Sequence, residues 1–558
     1  MIGLLAGALS GVALAFALGS TAFGSILGAI LGAVYSVGLR PIRRAYADNL
    51  LTAATLGVPL WGVVNVIALP LFAGQMPQWS AAEMREHFSA LVGWVLFGAC
   101  LGVLHQALTD LASAVWGPET QPALPTPLRK VRIVILGGGF AGMTTAQCLE
   151  RELEKNNSVQ IVLVSESNAL LFTPMLAEVA GSSLEPSHIC TPLRSSLRRT
   201  EFIRARTTGI DLAKRQVLLE GIASAEIPSE TREMSYDYLV LALGSVSNYL
   251  GMPNVERLAF NFKTLLDAIR IRNHVIEMFE RADRDPDPRR RAPLLTFVVA
   301  GGGFAGVELA GALNDFAHGI LADYPNLGPH EVRVVLVHAG DRILPELSAS
   351  LAHYAQEKMA ARGVEFRLNA RLADAKSGVV VLNDGEIPSE TLVWTAGTAP
   401  SPIVKLLDVE KDKRGALKVD ANLAVPGYLG VWALGDCAAV TDAKSGKPCP
   451  PTAQFALREA KIVARNLTAQ LEGRASKGFH FDSLGALCVI GHQTACAELT
   501  VPFARTRALR FSGLFAWLMW RGIYLTKLPG LERKIRVLFD WTVELFFPRD
   551  IVQTIDLK

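Results

Sequence analysis

A strand–turn–helix unit built on the same six residues occurs twice, and it is the feature that leaves this chain the fewest folds. Residues 131–136, apolar except for Arg132, run straight into Gly137-Gly138-Gly139-Phe140-Ala141-Gly142. A helical stretch at 143–153, a second apolar run at 160–164 and the acid Glu166 follow. Glycines at Gly137, Gly139 and Gly142 permit a tight turn and a close approach of backbone to a pyrophosphate. The helix N-terminus presents N–H groups and a positive dipole end to it, and Glu166 is placed to accept from ribose hydroxyls. One such pattern is weak, but strand, turn, helix, strand and acid together are strong. About 160 residues later the unit returns: a strand at 295–300, Gly301-Gly302-Gly303-Phe304-Ala305-Gly306, a helix at 307–316 and a strand at 332–337. Two units imply two bound dinucleotides. His338 stands where the second acid is expected, and it would tolerate a 2′-phosphate better than a carboxylate would.

The chain has 558 residues, more than one ordinary domain holds. Residues 2–39 carry no charged side chain, longer than one membrane crossing of about 20 residues. Small residues such as Gly7, Gly11 and Gly19 favour close helix approach. Two packed helices are expected, 2–18 and 21–38, one long tilted helix being the alternative. Arg40, Arg43 and Arg44 precede apolar runs at 51–74 and 89–108, and the positive-inside rule puts that basic loop in the cytoplasm. Four spans place both ends on the cytoplasmic side of an inner membrane; three would move only the N-terminus across. The spans are nearly free of ionisable groups, with His105 the main exception, so they read as an anchor rather than a pump; His105 reads as an interfacial residue. Pro118, Pro122, Pro125 and Pro127 make 116–130 a stiff link.

A net charge of +3 and no interleaved basic and aromatic pattern argue against a nucleic-acid partner. Seven cysteines without a CxxC pair or zinc spacing predict no metal and no structural disulfide.

Three further apolar strands end in glycine: 238–244 at Gly244, 392–397 at Gly397, and 431–436 at Gly435-Asp436. The first two suit crossovers between two domains, and the third suits an acid that receives a ribityl chain. The order GGGFAG, LALG, GGGFAGVE, WTAG, ALGDCA resembles the two-dinucleotide-fold flavoproteins, and more narrowly the type II NADH dehydrogenases, the single-subunit non-pumping NADH:quinone oxidoreductases. The stretches at 172–180 and 339–345, and Ala453-Gln454-Phe455-Ala456-Leu457-Arg458, are similar to that family's motifs. His338, for the usual Glu, and Leu243, for the usual Thr, depart from it. The resemblance covers roughly 130–550 and leaves out the N-terminal spans.

The resemblance implies an α/β fold of two Rossmann-like domains, behind an all-α transmembrane region and ahead of amphipathic membrane-interface helices. Its divisions would be an anchor (1–115), a linker (116–130), a first FAD-binding part (131–255), an NAD(P)H-binding domain (256–398), a second FAD-binding part with the quinone site (399–480) and a C-terminal region (481–558). FAD would rest on Gly137, Gly139, Phe140, Ala141, Gly142, Glu166, Gly244 and Asp436. NADH, with NADPH left open by His338, would rest on Gly301, Gly303, Gly306, His338 and Gly397. Gln454, Arg458, Met175 and Leu176 would meet the quinone. Gln454 and Glu308 are the candidate catalytic side chains, with an exposed helix-start acid as the plainer reading of Glu308 and a pairing with Glu178 as that of Arg458. Basic and aromatic residues mixed over 505–547 suit a lipid surface, and the same apolar faces suit a homodimer or core contact. A sulfide:quinone oxidoreductase, with Cys190 and Cys437 as its redox pair, and a flavin redox sensor are the rivals.

Overall fold

The computed structural model describes residues 2–14, 18–38, 46–74, 88–116, 130–222, 230–500 and 508–553. The Arg40–Arg44 loop and nearly all of the proline-rich link lie outside them.

The apolar N-terminal segments fold as a helical bundle of α1 (Ile2–Ser10), α2 (Thr21–Gly38), α3 (Tyr46–Trp61) and α4 (Phe88–Trp116). Glycine sets how closely they pack: a Cβ on Gly7 would lie 2.1 Å from the Gly28 carbonyl oxygen, so α1 and α2 touch backbone to backbone. Two of the four expected spans reach spanning length, Asn49–Phe72 and Phe88–Leu111; Ile2–Leu14 and Thr21–Ser36 are apolar but shorter. After α3 the helix widens to a π-turn over Gly62–Ala68. Pro59 and Pro70 flank it, and neither can donate to the helical ladder. The bundle interior holds polar pairs: the Trp94 indole donates to Asn65 Oδ1 (2.6 Å) and the Asn49 amide to Gln106 Oε1 (2.6 Å). His105 is not interfacial. It is buried, 3.2 Å from Ser36 Oγ and edge-on to Tyr35.

From Val131 the chain runs through β1 (Val131–Leu136), α5 (Phe140–Glu152) and β2 (Val159–Ser165), and comes back beside β1 as β3 (Tyr238–Leu241). It then builds a second sheet with β4 (Thr296–Ala300), α6 (Phe304–Gly319), β5 (Arg333–Val337) and β6 (Thr391–Trp394). β7 (Val431–Ala433) rejoins the first sheet, followed by α7 (Ala453–Leu471), β8 (Gly485–Val489), α8 (Gly513–Lys527) and α9 (Leu531–Glu544). The first sheet reads β7-β3-β1-β2 and continues with Glu201–Asp211, Gln216–Gly221 and Thr231–Ser235. The second reads Phe260–Asn261, β6, β4, β5, Val364–Arg367, and all its pairs are parallel. The two crossings between sheets lie side by side, Ser245–Ser247 antiparallel to Thr398–Pro400. The near-continuous Val, Ile and Leu of β1, β2 and β5 follow from burial on both faces.

The C-terminal helices have two faces. Trp520, Leu525, Val537 and Trp541 join the core of the second sheet, whereas Leu538, Phe539 and Val543 of α9, and Phe546 beyond it, are exposed. Leu514 and Leu518 of α8 pack on the bundle core, and Lys534 reaches Thr52 of α3 at 3.4 Å. The C-terminal segment thus packs on core and bundle while leaving an apolar row uncovered.

Candidate active site

The first glycine turn is closed inside and open outside. Gly137 has φ +109°, and a Cβ there would sit 2.1 Å from the Ala242 carbonyl oxygen; one on Gly142 would sit 1.8 Å from that of Gly137. A Cβ on Gly139 would meet nothing within 4 Å. The free space lies at the N-terminus of α5, where Phe140 and Ala141 open the helix, and the backbone there fits a pyrophosphate. The turn carrying Asp436 adjoins it: a Cβ on Gly435 would lie 3.3 Å from Ala141 Cβ. Asp436 accepts from Ser245 Oγ (2.6 Å), and the Lys263 ammonium, 2.6 Å from that hydroxyl, stands 4.0 Å from the carboxylate. Glu459 of α7 accepts from the Gly435 N–H (2.7 Å), and burial pushes its carboxyl up to about 7. Gly244 (φ +67°) precedes Ser245 at the outgoing crossover. Glu166 is exposed at the end of β2, with Arg206 at 3.4 Å.

The second turn repeats the geometry. Gly301 has φ +124°, a Cβ on Gly306 would lie 1.8 Å from the Gly301 carbonyl oxygen and 2.6 Å from Thr395 Oγ1, and the space at Gly303 is bounded only by Glu346 Oε1 at 3.3 Å. Gly397 sits where a Cβ would meet the Asn248 carbonyl oxygen at 2.8 Å. His338 accepts from the Gly302 N–H through Nδ1 (3.1 Å). Burial lowers its pKa, so the ring is neutral near pH 7 and offers no cation to a phosphate.

A run of aromatic contacts joins the first turn to the C-terminal helices: Phe140 to Phe172 (5.8 Å between centroids), Phe172 to Tyr524 (6.1 Å) and Tyr524 to Trp520 (4.7 Å). It ends at a cavity that Glu308 lines from α6, the helix of the second turn. Glu308 is not an exposed helix-start acid. It is partly buried and lines the cavity, it accepts from the Val489 N–H (3.3 Å), and desolvation pushes its carboxyl up to about 8, with Glu178 adding to the shift. Gln454 begins α7 with its amide oxygen accepting from the Leu484 N–H (3.2 Å) and its amide nitrogen near Ser483 Oγ (3.3 Å). Arg458 follows on the same face and lies over the Phe481 ring at 5.2 Å rather than on Glu178, which faces Arg521 at 3.9 Å. Met175 and Leu176 are buried in the core of the second sheet, while Pro174, Ala177 and Glu178 beside them line the cavity.

Sequence reasoning passed over Glu178 as a site residue, along with Arg521, Glu544, Glu459, Ser245 and Lys263. Glu459 had a legible signal, an acid on the inward face of α7. Lys263 and Ser245 had none, because the two crossings bring them to Asp436 only in three dimensions.

Residues 131–460 match the pyridine nucleotide-disulphide oxidoreductase family, and 484–550 the NDH2 C-terminal domain. The type II NADH:quinone oxidoreductase of Mycobacterium tuberculosis is 32% identical over 448 residues, covering 77% of this chain and 91% of that one. A probable NADH dehydrogenase of Dictyostelium discoideum is 34% identical over 429 residues, 75% of this chain and 90% of that one. In fold, the chain resembles Plasmodium falciparum NDH2 in complex with NADH (TM-score 0.68, 19% identity, 76% of this chain and 100% of that one). It also resembles, less closely, the sulfide:quinone oxidoreductase of Aquifex aeolicus (TM-score 0.56, 18% identity, 75% and 95%).

Proposed function

From the premise that this chain belongs to the type II NADH:quinone oxidoreductases of the pyridine nucleotide-disulphide oxidoreductase family, we propose that it moves two electrons from NADH to a membrane quinone without pumping ions. The observation that carries this reading is a cavity lined both by Glu308, two residues beyond the second glycine turn, and by Trp520, which ring contacts through Tyr524 and Phe172 connect to Phe140 of the first.

The first turn, with Asp436 and its Ser245 and Lys263 partners, fits FAD, which when bound supplies the hydride acceptor and the two-electron donor. The second turn and the N-terminus of α6 hold the NADH pyrophosphate. Gln454 lies outside the lining of this cavity; its amide carries a donor and an acceptor, now held by Ser483 and Leu484, that once released serve both quinone and quinol. No cation pairs with Glu308 among the described residues, and it holds a proton near neutral pH for the quinone oxygen. Trp517 and Trp520 line the cavity with apolar surface.

The exposed row Leu538, Phe539, Val543 and Phe546 is assigned to the lipid surface, continuous with the bundle that packs on α8. The catalytic unit stands on the cytoplasmic side of the inner membrane, the side on which Arg40, Arg43 and Arg44 place the first loop. A homodimer through that row is the competing outcome, read from the particle mass in detergent.

The test is NADH oxidation by the full chain in detergent, with and without a short-chain quinone. Quinone-dependent turnover is expected, and its absence in flavin-loaded protein overturns the reading. Sulfide chemistry is disfavoured by the thiols: all described cysteines are free, and burial holds Cys190 and Cys437 up at about 11, away from the reactive thiolate.

A further inference from the structure

The cavity that Glu308 lines holds more acid than base. Glu178, Glu308, Asp315 and Glu544 share its wall with Arg521 and Arg549. Both guanidiniums are committed to Glu544, Arg521 at 2.8 Å and Arg549 at 3.3 Å. Asp315 has Arg362 behind it at 3.9 Å and accepts from the His492 N–H. Glu178, its side chain 12% exposed, is left with a longer 3.9 Å approach from Arg521 and one hydrogen bond, 3.3 Å from the Trp541 indole. Glu308 accepts from the Val489 N–H with the Trp520 indole beside it, and has no ion pair among the described residues. Carboxyls in excess of their cations in a low-dielectric space keep protons. Burial pushes Glu178 up to about 7, below Glu308 at about 8, so each can exchange a proton near neutral pH.

The reaction gives this surplus a use. Quinone takes up two electrons and two protons to become quinol, while the hydride of NADH brings two electrons and one proton. One further proton per turnover must come from solvent. We propose, resting on the quinone reading above, that Glu178 is the relay that passes this proton from solvent to Glu308 through the shared cavity. In the forward step the Glu308 O–H bond breaks as its proton goes to a quinone oxygen. The Glu308 carboxylate then takes the proton of Glu178, and Glu178 regains one from water; neither carboxyl changes oxidation state. Arg521, Glu544, Trp541 and Arg549 face Glu178 from α8, α9 and the segment after it, and Tyr524, Trp520 and Cys488 surround Glu308. Arg521 is the positioning residue: stacked on Trp517 (3.8 Å) and Trp541 (4.6 Å), it is fixed between the two glutamates of α9 and the 176–180 helix.

The test uses the full flavin-loaded chain in detergent with two acceptors: a short-chain quinone, which takes up protons, and ferricyanide, which does not. For Glu178→Gln the expected result is a fall of roughly tenfold or more in quinone turnover, with a raised solvent isotope effect and unchanged ferricyanide turnover. Glu178→Asp should restore part of it. Loss with both acceptors alike, or quinone turnover with an unaltered pH profile and isotope effect, overturns the relay. If Glu178→Gln does not fold, Trp541→Phe reads the same point, because it removes the hydrogen bond that stabilises the Glu178 carboxylate. The limb that Glu178 sets, near pH 7, should then move to higher pH, and an unmoved limb counts against the proposal. A wild-type enzyme that reduces ferricyanide but no quinone would instead mark the failure of the parent reading.

Discussion

Gly306→Ala probes the second turn with a single methyl. The added Cβ would lie 1.8 Å from the Gly301 carbonyl oxygen and 2.6 Å from Thr395 Oγ1, where contacts under 3.0 Å are essentially never met. Both neighbours are poorly placed to yield: Gly301 is at φ +124°, and the Thr395 hydroxyl donates to the Ala300 carbonyl at 2.9 Å. The start of α6 must therefore move off β4 by roughly 1 Å, a displacement of the size that costs about a hundredfold when it separates reacting partners. A hundredfold loss in kcat/KM corresponds to about 2.7 kcal/mol. The assay is NADH oxidation with a short-chain quinone, alongside flavin content by absorbance and NADH binding by calorimetry. Flavin content should stay at the wild-type level, because the first turn belongs to the other sheet. Gly303→Ala is the companion: its Cβ has room in the fold but fills the space left for the pyrophosphate, so KM should rise with little change in thermal midpoint. A Gly306→Ala enzyme within twofold of wild type in kcat/KM would refute the tight-cradle argument.

Glu308→Gln is expected to slow quinone turnover about a hundredfold and to remove an alkaline limb near pH 8, because the wild-type acid is protonated below its raised pKa and loses its proton above it. The same shift has a stability consequence. A carboxyl whose folded pKa is raised contributes stability at low pH that is lost as pH climbs through the folded value, so the wild-type thermal midpoint should fall more than the variant's between pH 6 and 9; equal falls would assign the limb elsewhere. His338→Glu should lower any NADPH turnover at least about tenfold while sparing NADH, through repulsion of the 2′-phosphate; an unchanged ratio of the two would show that position 338 does not discriminate. Asn65→Leu leaves the Trp94 indole unpaired inside the bundle, which should cost about 1 kcal/mol and speed amide exchange in α3 and α4 without altering ferricyanide turnover. Exchange equal to wild type would mean that the indole finds another partner.

Much of this protein was legible in one dimension because its chemistry is local. Gly137, Gly139 and Gly142 act on the backbone within a single turn, and their replicas at Gly301, Gly303 and Gly306 announced a second site of the same kind. Long uncharged runs likewise declare an apolar environment before any fold is known. The length of α1 and α2, the burial of His105 and the two-faced packing of α8 and α9 depended on which surfaces meet, and hydropathy does not encode that. Electrostatics was hidden most completely. Glu308 read from sequence as a helix-start acid with an exposed alternative, and Glu178 as a surface partner for Arg458. Their proton affinities arise only after α6, the 176–180 helix, α8 and α9 close around one cavity and strip water from four carboxyls. The sequence by itself thus determined the two dinucleotide cradles and the apolar N-terminus, since these are properties of neighbours along the chain. The tertiary structure alone decided which acids face no cation, since desolvation and charge balance depend on groups hundreds of residues apart.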